Sequence, residues 1–279
     1  MIEISVGNLR FKAEARGEPN APLVLMLHGF PQTGYAWRKQ LDPLARAGYF
    51  AVAPDQRGYS AGARPLEQAE YATERLLADV LGMARSLGHE RFHVVGHDWG
   101  GQLAWLLAGA HPQRILSLCA LSRPHPAAFA AAFETDHAQA ERSRHHRAFR
   151  NPETADLLLA DDARRLRRSM RDQNVADSAI DAYLRVLGER SALEAALNWY
   201  RAAETLAIAH ANPINVPTMY IWGDGDSSVG RAAAEGSADY VAGPYRFEEL
   251  PNVGHFVTDQ AGDRVTGLLL SFLGELDDS

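Results

Sequence analysis

The chain has 279 residues and a mass of 30.6 kDa, long enough to bury a large core without a disulfide or metal staple. Apolar residues make up 46% and charged residues 23%, the balance of a soluble globular protein, which excludes disorder, collagen and coiled coil. The net charge is −7, and arginine supplies all the positive charge except Lys12 and Lys39, a bias of genome composition.

Met1 to Val6 carries no basic segment followed by an apolar one, and Leu23 to Leu27 is too short to cross a bilayer. The expected location is therefore the cytoplasm. Residues 2 to 14 alternate loosely and Arg16 to Asn20 reads as a turn, which predicts an antiparallel hairpin leading into a strand at Leu23 to Leu27. That strand is apolar on both faces, as in a sheet covered by helices on both sides. The pattern returns at Tyr49 to Ala53, Phe92 to Val95, Ile115 to Leu121 and Thr218 to Trp222. Helices are predicted over 37–47, 71–87 and 99–110, the second with Leu76, Val80, Ala84 and Leu87 on one stripe. Cys119, the only cysteine, lies in an apolar strand and reads as a small core residue.

Strand and helix alternate, which predicts a mostly parallel α/β sheet. After Leu121 the alternation stops, and Ser122 to about Asn212 shows only helix-like segments rich in Ala, Arg and Leu. Pro124, Pro126, Pro213 and Pro217 mark the two junctions. The expected organisation is an α/β core over 1–121 and 215–279, with a helical cap inserted at 122–214.

The strongest chemical signal is Gly96-His97-Asp98-Trp99-Gly100-Gly101, where a buried strand runs through a tight turn into a helix. Such an elbow lifts one side chain above the sheet beside free helix-start N–H groups. A carboxylate in that place forms an ester by attacking an sp3 carbon. Asp98 as a plain helix cap is the alternative, and the flanking glycines favour the nucleophile. His28-Gly29-Phe30-Pro31 follows the first buried strand, and the N–H of Phe30 pairs with that of Trp99 as a candidate oxyanion hole. Farther on, Trp222-Gly223-Asp224-Gly225-Asp226 offers two acids, of which Asp226 is preferred by spacing, with Asp224 left open. Gly254-His255-Phe256 offers a histidine, completing the order nucleophile, acid, base.

Together with Asn198-Trp199-Tyr200-Arg201, these motifs resemble the α/β-hydrolase superfamily, and within it the epoxide hydrolases, over nearly the whole chain. The resemblance implies the α/β-hydrolase fold with a helical cap. It also implies that Asp98 opens an epoxide to an alkyl ester, and that His255, oriented by Asp226, activates the water that hydrolyses it. Phe30 and Trp99 would hold the oxyanion, and Tyr200 would protonate the departing alkoxide. The family's second cap tyrosine has no counterpart: Ser143-Arg144-His145-His146-Arg147-Ala148-Phe149 places His145 there. His145 either substitutes as a donor or sits with His146 on a solvated face.

Trp37, Phe149, Trp199 and Phe256, with His145 and His146, are the expected substrate-binding residues, lining a pocket for a small apolar or aromatic substrate and water. Competing readings are a haloalkane dehalogenase, with the Trp99 indole holding halide, and an ester or lactone hydrolase acting on a bulky natural product. A fluoroacetate-type dehalogenase is disfavoured because Trp99 and Gln102 follow Asp98 where carboxylate-clamping arginines are expected. A non-catalytic binding protein would show a missing triad member, and none is missing. Nine arginines between Arg142 and Arg171 face four acids, a run usual for a solvated helix face, and with only Phe149 to stack on a base it carries no expectation of nucleic-acid binding. No metal or cofactor motif appears, no membrane partner is expected, and the chain reads as a monomer or homodimer.

Overall fold

The computed structural model describes residues 1–203 and 213–277. The end of the expected cap, residues 204–212, lies outside the described residues. Eight strands form one sheet: β1 (Ile2–Val6), β2 (Leu9–Arg16), β3 (Leu23–Leu27), β4 (Phe50–Pro54), β5 (Phe92–His97), β6 (Ile115–Leu121), β7 (Thr218–Gly223) and β8 (Tyr245–Leu250). Their spatial order is β1-β2-β4-β3-β5-β6-β7-β8. The N-terminal hairpin is antiparallel, with Val6 opposite Leu9, and β2 joins the sheet antiparallel to β4. From β4 to β8 every pairing is parallel.

Parallel strands need crossovers, and their hand decides which face each helix covers. α1 (Arg38–Arg46) packs against the C-terminal helix Gly262–Asp277, while α2 (Thr73–Ser86) packs against α3 (Trp99–Ala110). With helices on both sides, all five residues of β3 and all six of β5 are buried. Cys119 is buried in β6, where burial pushes its thiol up, out of reach of ordinary thiolate chemistry.

Between β6 and β7 the described residues form helices and no strand: α4 (Pro126–Thr135), α5 (His137–Arg142), α6 (Arg144–Ala148), α7 (Thr154–Arg171), α8 (Asp177–Leu187) and α9 (Arg190–Ala202). α7 is broken at Ala160 to Ala163 by non-helical backbone. Several arginines of the basic run pair with nearby acids at the surface, Arg144 with Glu141, Arg168 with Asp172 and Arg171 with Asp177. Among the described residues no helix is long and apolar enough to cross a membrane.

Candidate active site

The turn from β5 into α3 is so close that only glycine fits around it. A Cβ on Gly96 would lie 2.2 Å from the Gly100 carbonyl oxygen, and one on Gly100 would lie 2.2 Å from that of Leu27. Asp98, at the apex, takes φ 51° and ψ −116°, a positive φ that a non-glycine residue holds only under support from its surroundings. Backbone bonds supply it: Asp98 N–H donates to the Leu121 carbonyl at 3.1 Å, and Gln102 N–H to the Asp98 carbonyl at 2.9 Å. The Asp98 side chain makes no capping bond to α3. It turns to the loop after β3, where the Phe30 N–H donates to its Oδ1 at 3.0 Å. Gly29 permits that approach, since a Cβ there would meet the Asp98 Cβ at 2.4 Å.

On the other side stands His255, in the loop after β8. Its Nδ1–H donates to Asp226 Oδ2 at 3.0 Å, and its Nε2 lies 3.7 Å from Asp98 Oδ2. Asp226 is held by the Ser228 and Val229 N–H groups, which donate to its Oδ1 at 2.7 and 3.0 Å. Asp224, the alternative acid, is exposed and accepts instead from the Asn252 N–H at 2.6 Å. Phe256 does not line the cavity beside this cluster: it is buried, with its ring 5.4 Å from that of His255 and 6.2 Å from that of His97.

Burial opposes charge on both Asp98 and His255, but each is outweighed by its partners. The hydrogen bond and charge of His255 hold the Asp98 carboxyl well below the usual carboxylate range. Asp226 and Asp98 together raise the imidazole from 6.5 to about 10. A folded-state pKa raised this way adds stability that is complete below about 6.5 and is lost as pH rises through about 10. Chemical denaturation at pH 7 and pH 9.5 should therefore show a fall in unfolding free energy for the native protein, and a clearly smaller fall for His255→Gln.

A cavity of about 530 Å³ opens beside this cluster, within the range of small-molecule sites. Its lining includes Trp99, Trp199, Tyr200, His146, Leu103 and Phe129. Asp98 and His255 are not lining residues; Trp99, next to Asp98 in the chain, is the shared wall. The Tyr200 ring packs edge-on to Trp99 at 5.0 Å and to Phe30 at 5.6 Å. Burial, then the Asp98 charge, keeps its hydroxyl protonated well above its usual range. Trp199 anchors this helix, its indole N–H donating to the Arg57 carbonyl at 2.9 Å.

The paired histidines, with ring centroids 4.6 Å apart, make different contacts. The His146 ring stacks on Trp99 with centroids 6.1 Å apart, and burial lowers its pKa to about 3, so it is neutral. His145 does not line the cavity, and its Nδ1–H donates to the Arg142 carbonyl at 3.1 Å. Phe149 packs on Tyr200 and Phe30, behind the cavity wall. Trp37, expected in the pocket, lies instead in the core with no exposed surface, because the short helix Gly34–Trp37 packs onto β2, β3 and β4.

Three features went unread in the sequence. Arg123 is buried and lines the cavity. Gln139 of α5 is fully buried and clamps the Asp226 loop, donating to the Ser228 carbonyl at 2.9 Å and accepting from the Gly230 N–H at 2.8 Å. Arg142 donates to the Asp226 carbonyl at 2.7 Å, so one residue of the arginine run supports the acid loop.

Comparison with known proteins places this geometry. Residues 22–261 match the family described as alpha/beta hydrolase fold. Epoxide hydrolase A of Mycobacterium tuberculosis is 34% identical over 98% of this chain and 97% of its own, and epoxide hydrolase 3 of Xenopus tropicalis is 33% identical over 98% and 77%. The chain belongs to the α/β-hydrolases of the epoxide hydrolase type. An epoxide hydrolase structure from Bacillus megaterium, in complex with an inhibitor, aligns with this enzyme at a TM-score of 0.90 and 25% identity, covering 98% of this chain and all of the other. Epoxide hydrolase A of Mycobacterium thermoresistibile aligns at 0.85 with 28% identity, over 98% and 97%. The α/β-hydrolase fold expected from the motifs is thus the fold of the chain.

Proposed function

We propose that this enzyme opens an epoxide to a vicinal diol through an ester on Asp98, with residues 122–214 acting as a cap over a core of 1–121 and 215–279. The observation that carries the reading is the placement of Asp98: its carboxylate is turned off the helix it could have capped, toward Phe30 N–H and His255 Nε2. Asp98 attacks an epoxide carbon, the ring C–O bond breaks, and the Tyr200 hydroxyl gives its proton to the alkoxide. Esterification removes one of the two carboxylates that hold up the His255 pKa. His255 then returns its proton to the Tyr200 oxygen and becomes the base. Water, deprotonated at His255 Nε2, attacks the ester carbonyl, with the Phe30 and Trp99 N–H groups holding the oxyanion. Collapse releases the second diol oxygen, which takes the proton of the newly formed Asp98 acid. Asp226 keeps the imidazole in the tautomer that presents Nε2.

The test is a trap. His255→Gln removes the base and leaves the nucleophile, so incubation with styrene oxide should add the mass of one substrate to the peptide carrying Asp98. A good epoxide that yields diol in the native enzyme but leaves no adduct in His255→Gln counts against the ester route.

A further inference from the structure

Among the described residues, two arginines are buried near the site, and only one has a counter-ion. Arg57 donates through Nε and Nη2 to both oxygens of Asp79 at 2.6 and 2.7 Å, the usual way to bury a guanidinium. Arg123, which follows β6, is 9% exposed and has no carboxylate partner among the described residues. Its Nε–H donates to Gln102 Oε1 at 2.8 Å, the one hydrogen bond of its guanidinium among the described residues. The Gln102 acceptor fixes the plane, and aromatic rings fix the position: the guanidinium carbon lies 4.5 Å from the Phe129 ring centre and 5.7 Å from that of Trp99. Among the described residues neither terminal nitrogen of Arg123 has an acceptor, and the residue lines the cavity.

The Asp98 charge acts on Arg123 from a distance, but the two share no hydrogen bond or ion pair. Asp98 Oδ1 is taken by Phe30 N–H and its Oδ2 faces His255. In the reaction proposed above Asp98 also loses its charge at the ester stage, when an unpaired cation beside it is least well balanced. The rest of the cavity wall repeats the sign: Arg147 and Arg150 line it against a single acid, Glu134. Between these groups the wall is apolar, with Leu76, Leu103, Phe129 and Trp199. Burial lowers the Arg123 pKa by more than the Asp98 charge raises it.

We infer that Arg123 is the anchor for a carboxylate on the substrate, so that this enzyme acts on compact apolar epoxides that carry an acid group. The inference rests on the epoxide reading for the reacting end, and on Arg123 alone for the other end. A planar two-donor fork matches the two oxygens of a carboxylate, and the aromatic sandwich around it suits an aryl acid. Because Arg123 sits against Trp99, and Trp99 adjoins Asp98 in the chain, the probes place acid and epoxide at opposite ends of one aromatic ring.

The probes are 4-(oxiran-2-yl)benzoate and its carboxamide, compared by kcat/KM for diol formation, and 4-ethylbenzoate and 4-ethylbenzamide, compared by calorimetric binding. The native enzyme should prefer the acid in each pair by about 10- to 100-fold, the scale of a charge-assisted hydrogen-bond pair. In Arg123→Gln both ratios should fall to about one, and Arg123→Lys should restore part of the preference, as a point charge without the fork. Equal treatment of acid and amide by the native enzyme overturns the inference, whatever the variants do. So does an Arg123→Gln enzyme that keeps the native acid-to-amide ratio. Tight binding of 4-ethylbenzoate with no diol from any epoxide would support the anchor while counting against the epoxide reading.

Discussion

Asp98→Ala should lower diol formation from styrene oxide by about 10⁴-fold or more, the scale on which loss of a covalent nucleophile is felt. The loss belongs to kcat, because the cavity wall that binds the substrate is built from Trp99, Tyr200 and the aromatic residues beyond them. The variant should remain folded: the elbow is held by the Leu121 carbonyl and the Gln102 N–H, neither of which uses the carboxylate. A second readout follows from charge. His255 owes its raised pKa to Asp226 first and Asp98 second, so removing Asp98 must bring its titration midpoint down from about 10. An NMR titration of the His255 ring in both proteins checks this, and an unmoved midpoint would mean that the two groups are not coupled as their 3.7 Å separation implies. Turnover that survives in Asp98→Ala would move the nucleophile elsewhere.

The fold was legible wherever burial on both faces writes a continuous apolar run. Leu23 to Leu27, Ile115 to Leu121 and Thr218 to Gly223 are such runs, and all three are interior strands. β8 went unpredicted because it is an edge strand: Tyr245 to Leu250 includes Arg246, Glu248 and Glu249, which sit partly in water and spoil the pattern. The grouping of Asp98, Asp226 and His255 was legible because elbow, acid loop and histidine loop each occupy one short segment with its own turn chemistry. Arg123 was not, because it lies between Ser122 and Pro124 at a junction, and its neighbours come from α3 and α4. Burial of a lone arginine is a property of the assembled fold and has no local signature. Trp37 failed for the converse reason: an aromatic residue close to a motif looks like a pocket wall until the packing of its short helix shows which way it faces.

The same limit explains the histidine pair, and it leads to the second large effect. Adjacent residues on a helix point about 100° apart, and of the pair on α6 only His146 lines the cavity, although both rings pack on Tyr200. His145 gives its Nδ1–H to the Arg142 carbonyl. Burial lowers the His145 pKa, so the ring is neutral and its remaining nitrogen is an acceptor with no proton to give. In the proposed reaction the alkoxide formed on ring opening therefore takes its proton from Tyr200. Tyr200→Phe should cut the rate of ester formation in single turnover by about 10²- to 10³-fold, the range for removal of a general acid. The proposal assigns hydrolysis of the preformed ester to His255 and Asp226, so that step should slow far less. His145→Phe should stay within about threefold of the native rate. If His145→Phe loses as much as Tyr200→Phe, the imidazole donates after all, and the bond to the Arg142 carbonyl must break during turnover.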